Sequence, residues 1–265
     1  MHLILTGATG LVGTAVLDAM VKTKDVTKIS ILSRRPVKFT DDRINVIIHN
    51  DFASYDDDLL GKLQGAQGCV WALGISQNLV NKEDYITITK TYALTAAKAF
   101  QSLPFEGGTK QPFHFVYVSG DGATFSPGRL TPLFGRVKGE TELALAEMQK
   151  ANPSLLRATT VRPSFVDWTG HAEIKPFLPG LGTFKNVAGS ILSPIAKYAA
   201  RSKWSPTEPL GRFLTGMAMG MWDDSLEGEG VERLPGGFTV VENPGMRRVM
   251  GLDAKCQEAP PQRAV

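Results

Sequence analysis

Hydrophobic and polar positions along this chain switch between two periods. A short apolar run over Leu3–Thr6 ends in glycine, and from Leu11 to Val21 apolar residues recur at helical spacing, which predicts strand, tight turn and helix. Short runs rich in Ile, Val and Phe follow at Ile29–Leu32, Val46–Ile48, Cys69–Leu73 and Phe113–Val118, with helical stretches between them. The clearest helices are expected over Asp84–Leu103 and Leu133–Lys150. The second ends before Asn152-Pro153, and Ala158–Arg162 then predicts a strand stopped by Pro163. Strands alternating with helices in this way imply an α/β protein built on a parallel sheet.

The pattern weakens after the sixth strand. Thr169–Lys203 is punctuated by Pro and Gly around an expected helix at Val187–Ala200, and a second helix is expected at Pro209–Trp222. Phe238–Val241 reads as a late strand and Pro244–Met250 as a short helix, while Glu258–Val265 carries no core pattern. The expected architecture is a doubly wound parallel Rossmann-type sheet over residues 1–265, one domain, with residues 167–235 forming mostly a small C-terminal substrate cap.

Composition narrows the classes. Of 265 residues, 43% are hydrophobic and 21% charged, values typical of a globular protein with a packed core. Net charge is +3 and the basic residues are scattered apart from Arg34 and Arg35, so no nucleic-acid-binding stripe is expected. The two cysteines, Cys69 and Cys256, form neither a disulfide framework nor a metal spacing, and the four histidines are dispersed, so no metal is expected. Met1–Leu5 is too short for a signal segment and no stretch reaches spanning length; the expectation is a cytoplasmic protein without a membrane span, with a homodimer open.

Gly7, Gly10 and Gly13 occupy the first strand-to-helix turn, where missing side chains let a pyrophosphate approach the backbone and the helix start supplies N–H donors. Gly7, Thr9, Gly10, Leu11, Val12 and Gly13 are therefore expected to bind a dinucleotide. An acidic residue after the second strand would hold both ribose hydroxyls of NAD, whereas this chain has Leu32-Ser33-Arg34-Arg35 there. Cations suit a 2′-phosphate, so NADP is favoured over NAD; the alternative is that Arg34 and Arg35 are solvated loop charges. Asp51 and Phe52 follow the third strand, positioned to meet the adenine amino group and flank the base, or, for Asp51, to cap a helix. Ala72, Leu73 and Gly74 close the fourth strand and can pass beneath the cofactor, with Cys69 and Trp71 assigned to the core.

On these residues, and on Tyr117-Val-Ser-Gly-Asp-Gly122, Phe134-Gly-Arg-Val-Lys-Gly-Glu-Thr-Glu142 and Val161-Arg-Pro-Ser-Phe-Val166, the chain resembles the short-chain dehydrogenase/reductase superfamily. The likeness is to its extended and atypical branches, epimerase-like and NmrA-like. The resemblance implies a tyrosine four positions before a lysine on one helix, the phenol exchanging a proton with substrate and the lysine holding the nicotinamide ribose. Lys138 stands at the lysine position, but the tyrosine position holds Phe134, which has no proton to exchange. Ser119 and Asp121 compete for the family's hydroxyl position, and Pro163 and Phe165 fall on its nicotinamide-side loop. Asp121, Tyr85, Tyr117 and Asp167 are candidates to replace the missing phenol. Lys138 reads either as a cofactor ligand or as an exposed lysine paired with Glu142 one turn on.

Phe165, Trp168, Phe177, Leu178, Phe184, Ile191, Leu192 and Ile195 offer an apolar surface for a small apolar substrate, or else form the cap's own core with Tyr198. The first functional reading is an atypical NADP-dependent oxidoreductase acting on a small apolar metabolite. The alternatives are a dinucleotide-sensing regulator of the NmrA-like kind, without redox turnover, and a non-redox isomerase or cyclase on the same scaffold.

Overall fold

The computed structural model describes residues 1–104, 111–178, 201–222 and 226–253. At the centre lies β1 (His2–Thr6), every residue of which is buried because strands flank it on both sides and helices cover both faces. Helix α1 (Leu11–Lys22) returns from it to β2 (Lys28–Ser33), and β3 (Ile44–Ile48) closes that edge. On the other side come β4 (Ala66–Trp71), β5 (Phe113–Val118), β6 (Leu156–Arg162), β10 (Thr239–Glu242) and β9 (Val231–Arg233). The eight-stranded order is β3-β2-β1-β4-β5-β6-β10-β9; all pairs are parallel except β10 with β9. Strand order reverses beside β1, between β1 and β4, so the crevice above their carboxyl ends is where such a sheet takes a ligand.

The expected α/β doubly wound sheet is thus observed, with differences in detail. Helix α2 (Asp57–Lys62), capped by Asp56 accepting from the Leu59 amide, escapes the periodicity because only Leu59 among its residues is buried. The long helix expected from Asp84 is three segments: α3 (Lys82–Ile86), a π turn over Thr87–Thr91, and α4 (Tyr92–Phe100). Helix α5 (Leu133–Ala151) follows the expected bounds within a residue.

Past β6 the chain forms a second, two-stranded parallel sheet from β7 (Phe165–Asp167) and β8 (Trp204–Pro206), which the sequence pattern does not predict. Helix α6 (Thr207–Ala218) packs along α1. Its Leu210, Phe213, Leu214 and Met217 join Leu3, Val16 and Leu17 in one core cluster. A Cβ on Gly211 would lie 2.3 Å from Ala15 O, so glycine is what lets the two helices approach. Helix α7 (Asn243–Val249) ends the described fold. The helix expected at 187–200, together with Phe184, Ile191, Leu192, Ile195, Tyr198 and Cys256, lies outside the described residues. Among the described residues no helix is long and apolar enough to cross a membrane.

Candidate active site

The turn after β1 is shaped by backbone contact. Gly7 has φ of +71°, and a Cβ there would lie 2.3 Å from Ala72 O; a Cβ on Gly13 would lie 2.0 Å from Gly7 O. Both positions therefore exclude any side chain, and the Gly10 amide closes the turn on Gly7 O at 2.8 Å. No side chain caps α1 at Gly10, so the first amides of the helix, at Leu11, Val12 and Gly13, face outward with their donors and partial positive charge available.

They face a cleft of about 740 Å³. Gly10–Gly13, Ala72–Ser76, Ser119, Asp121, Lys138, Pro163 and Phe165 all line it, so residues separated by more than a hundred positions converge. Ala72, Leu73 and Gly74 lie just past β4, not within it, since the strand ends at Trp71. Two smaller hollows adjoin. One, of about 40 Å³, is lined by Gly7, Thr9, Arg34, Arg35 and Phe52; the other, of about 70 Å³, by Arg34, Asn50, Phe52, Ile88 and Tyr92; Leu73 borders both and the main cleft.

Lys138 projects from α5 to the end of β5, where Nζ donates to Ser119 O at 2.6 Å. The reading of Lys138 as an exposed partner of Glu142 is overturned. Glu142 is fully buried and accepts from Arg162 Nε at 3.1 Å and Arg162 Nη2 at 2.5 Å, with Thr160 Oγ1 at 3.2 Å. Burial of the ammonium is the main influence on Lys138 and lowers its pKa to about 8, opposed by the Glu142 carboxylate one turn on. Ser119 Oγ is buried in the cleft wall with no hydrogen-bond partner among the described residues.

Phe134 does not line this cleft. Its ring lies against the turn at Gly122, where a Cβ would sit 3.2 Å from Phe134 Cζ, and its amide donates to Gln77 Oε1 at 2.8 Å. Of the residues proposed to replace a phenol, Asp121 reaches the cleft but is engaged. Its Oδ2 accepts from Lys203 Nζ at 2.6 Å and from Ser164 Oγ at 2.7 Å. Burial works against the Asp121 charge, but these hydrogen bonds outweigh it and hold the carboxyl below its usual range. Tyr117 also lines the cleft, yet its hydroxyl donates to Thr89 O at 3.2 Å and burial pushes it far above its ordinary value. Tyr85 is buried off the cleft, and burial raises its pKa too. Asp167 is also off the cleft: it accepts from the Thr169 amide and hydroxyl and from Trp204 Nε1, pinning β7 to β8.

Asp51 borders none of the three cavities and accepts from the Ala53 amide at 3.0 Å in a local turn, while the α2 cap is Asp56. Phe52 is nearly all core, packed edge-on to Trp71 with one side on the two smaller hollows. Cys69 is fully buried, and burial pushes its thiol well up, as its assignment to the core implies.

No family model matches the chain. A curated relative, botcinic acid biosynthesis cluster B protein 16 of Botryotinia fuckeliana (strain B05.10), is 46% identical over 160 residues, 60% of this chain and 99% of that protein. Leucinostatins biosynthesis cluster protein T of Purpureocillium lilacinum is 33% identical over 75% of this chain and 77% of its own length. The chain belongs to the same family as these two cluster proteins. Its fold is shared by solved dehydrogenases of low sequence identity. The aldohexose dehydrogenase of Thermoplasma acidophilum superposes with a TM-score of 0.62 at 14% identity, covering 98% of this chain and 97% of that one. MoeE5, in complex with UDP-glucuronic acid and NAD, superposes with a TM-score of 0.61 at 13% identity, covering 91% and 76% respectively.

In this member of the family, Lys203 and Ser164 are among the cleft residues that escape sequence reasoning. Each is a common surface residue type, Ser164 within the Val161–Val166 motif but with no role read for it there, and its place becomes visible only when β8 is laid beside β7. The same segment is fastened from below. Asn243 donates to Ser202 O at 2.6 Å and accepts from Ser205 Oγ at 2.6 Å, and Arg247 donates to Trp204 O at 2.9 Å.

Proposed function

We propose that this protein is an NADP(H)-dependent oxidoreductase that interconverts a carbonyl and an alcohol on a small, largely apolar molecule, within a biosynthetic cluster as the names of its two relatives have it. The observation that carries the reading is the meeting in one cleft of the side-chain-free turn at Gly7–Gly13, the unpartnered Ser119 hydroxyl and the Lys138 ammonium. The cradle fits a dinucleotide. The amides of Leu11, Val12 and Gly13 would take the pyrophosphate, and Lys138 and Ser119 lie at the nicotinamide end beside Pro163 and Phe165. When bound, the cofactor supplies or accepts a hydride.

The preference for NADP rests on Arg34 and Arg35. Both are exposed at the hollow beside Gly7 and Thr9, neither has an ion-pair partner among the described residues, and no acidic side chain borders that hollow. Ile75, Phe165 and Val166 give the main cleft an apolar wall, which supports an apolar substrate. A second reading, a dinucleotide sensor without turnover, is favoured by one observation, the phenylalanine at position 134.

The test is a fluorescence titration with NADPH and NADH of the native protein and of an Arg34→Asp, Arg35→Ala variant. NADPH should bind more tightly, and the variant should lose about tenfold to a hundredfold of that preference, the worth of one or two charge-assisted hydrogen bonds. Failure of both nucleotides to bind would overturn the cofactor assignment, and binding without any turnover across carbonyl probes would favour the sensor.

A further inference from the structure

A carbonyl reduction needs a proton at the substrate oxygen, and among the described residues the ionisable side chains that line the main cleft are four: Tyr117, Asp121, Lys138 and Lys203. Tyr117 has its hydroxyl proton committed to Thr89 O and sits at the buried end of β5. Asp121 is held as a carboxylate by Lys203 and Ser164, so it has no proton to give, and Lys203 is held by Asp121 in return. Lys138 differs from all three. One of its N–H donors is fixed on Ser119 O at the cleft wall, and among the described residues its other donors have no partner closer than Val118 O at 3.5 Å.

Resting on the cofactor-dependent reduction proposed above, we infer that Lys138 is itself the proton-exchanging group of this site, doing directly what Phe134 cannot. The substrate carbonyl loses its π bond; its carbon gains a hydride, with both electrons, from the reduced nicotinamide, which is left oxidised. Its oxygen gains a proton from Lys138 Nζ. The neutral amine then recovers a proton from water at the cleft mouth, and the reverse sequence serves oxidation. Ser119 Oγ, free to rotate, donates to the same oxygen and orients it.

The surroundings suit a lysine that changes charge. Burial favours the neutral amine and brings the pKa to about 8, near a working pH. Glu142 on the same helix opposes this, but its charge is spent on Arg162. From β5 and its following loop the groups facing the cleft are Tyr117 and Asp121, and from the 201–206 segment Lys203; the last two form a neutral pair.

The decisive substitution is Lys138→Arg, which keeps a cation and its donors but cannot release a proton at any working pH. NADPH binding and NADPH oxidation with a panel of aromatic aldehydes and diketones are followed from about pH 6 to about pH 10, alongside NMR titration of lysine side chains labelled with carbon-13, in which Lys138→Arg assigns the Lys138 signal. Expected are a Lys138 midpoint about two units below that of a free lysine, NADPH affinity within a few-fold of native in the arginine variant, and turnover lower by about a hundredfold or more. A Lys138 signal that titrates like a free lysine, native-like turnover in the arginine variant, or a native protein that binds NADPH and reduces no probe would each overturn the inference. Absence of NADPH binding by the native protein would instead overturn the cofactor assignment beneath it.

Discussion

Lys203 Nζ donates to Asp121 Oδ2 across 2.6 Å, joining residues 82 positions apart at the mouth of the cleft. The pair ties the loop after β5 to the segment that opens β8, and that segment is anchored from below by Asn243. Asn243→Ala would remove its hydrogen bonds to Ser202 O and Ser205 Oγ, of which only the second is buried, a cost of about 1 to 3 kcal/mol. The expected outcome is a lowered denaturation midpoint with an unchanged denaturant slope, together with weaker KM for any carbonyl probe and little change in NADPH affinity. Equal loss of NADPH affinity would show that the anchor serves the whole site and not its mouth.

The buried Glu142–Arg162 pair makes a separate prediction. Each partner neutralises the other in a site with almost no solvent, so Glu142→Gln leaves the guanidinium only the half-exposed Glu242 carboxylate, 3.6 Å from Nη1, and should cost about 3 kcal/mol, the lower end for a broken buried pair. Replacing both, as Glu142→Leu with Arg162→Met, removes the two desolvation costs together and should recover most of that loss. Urea unfolding of the two single variants and the double variant measures the coupling. Additive losses would show that the pair is not a unit.

Glycine at positions 10 and 13 does different work, and alanine separates the two. At Gly13 a Cβ would lie 2.0 Å from Gly7 O, so Gly13→Ala should destabilise the fold by about 3 kcal/mol or more as the turn is forced open. At Gly10 the nearest atom would be 3.3 Å away and the backbone is extended, so Gly10→Ala should change stability by no more than about 1 kcal/mol. Gly10 lines the cleft, however, and its added methyl would stand where a pyrophosphate approaches. Its NADPH affinity should fall about tenfold or more while the melting temperature holds, a split that calorimetry and fluorescence together can read.

What the sequence discloses of this fold and site follows the range of the interactions involved. The Gly7–Gly13 turn is legible because its geometry is dictated by neighbours a few residues apart, and Lys138 because helix spacing and its motif fix its place relative to β5. Lys203 and Ser164 are illegible because they are polar residues paired with Asp121 through tertiary contact alone. Asp167 reads as a candidate acid from its position after Val166, and only the Trp204 indole, 37 positions away, shows it to be a structural acceptor. Phe52 reads as a flank for an adenine; the rings of Trp71, His49 and Tyr92 pack around it and bury most of its surface, leaving one side on the two smaller hollows.

Acid sensitivity should arise far from the cleft, at His2. Its Nδ1 faces Gln64 O at 3.2 Å, so that nitrogen must carry the proton, and Nε2 at 2.8 Å then accepts from the Ser30 hydroxyl. The neutral ring is thus satisfied as it stands. Burial, with the nearby Lys28 ammonium acting in the same direction, lowers the His2 pKa from 6.5 to about 4. Between those values the unfolded chain binds a proton that the folded chain refuses, so the contribution is fully present above pH 6.5 and is lost as pH falls towards about 4. A shift of that size corresponds to about 3 kcal/mol. Unfolding free energies of native protein and His2→Asn should therefore converge as pH falls through this window, the variant starting lower and losing less. Parallel acid limbs for the two proteins would show that His2 is protonated in the folded state and that the acid transition originates elsewhere.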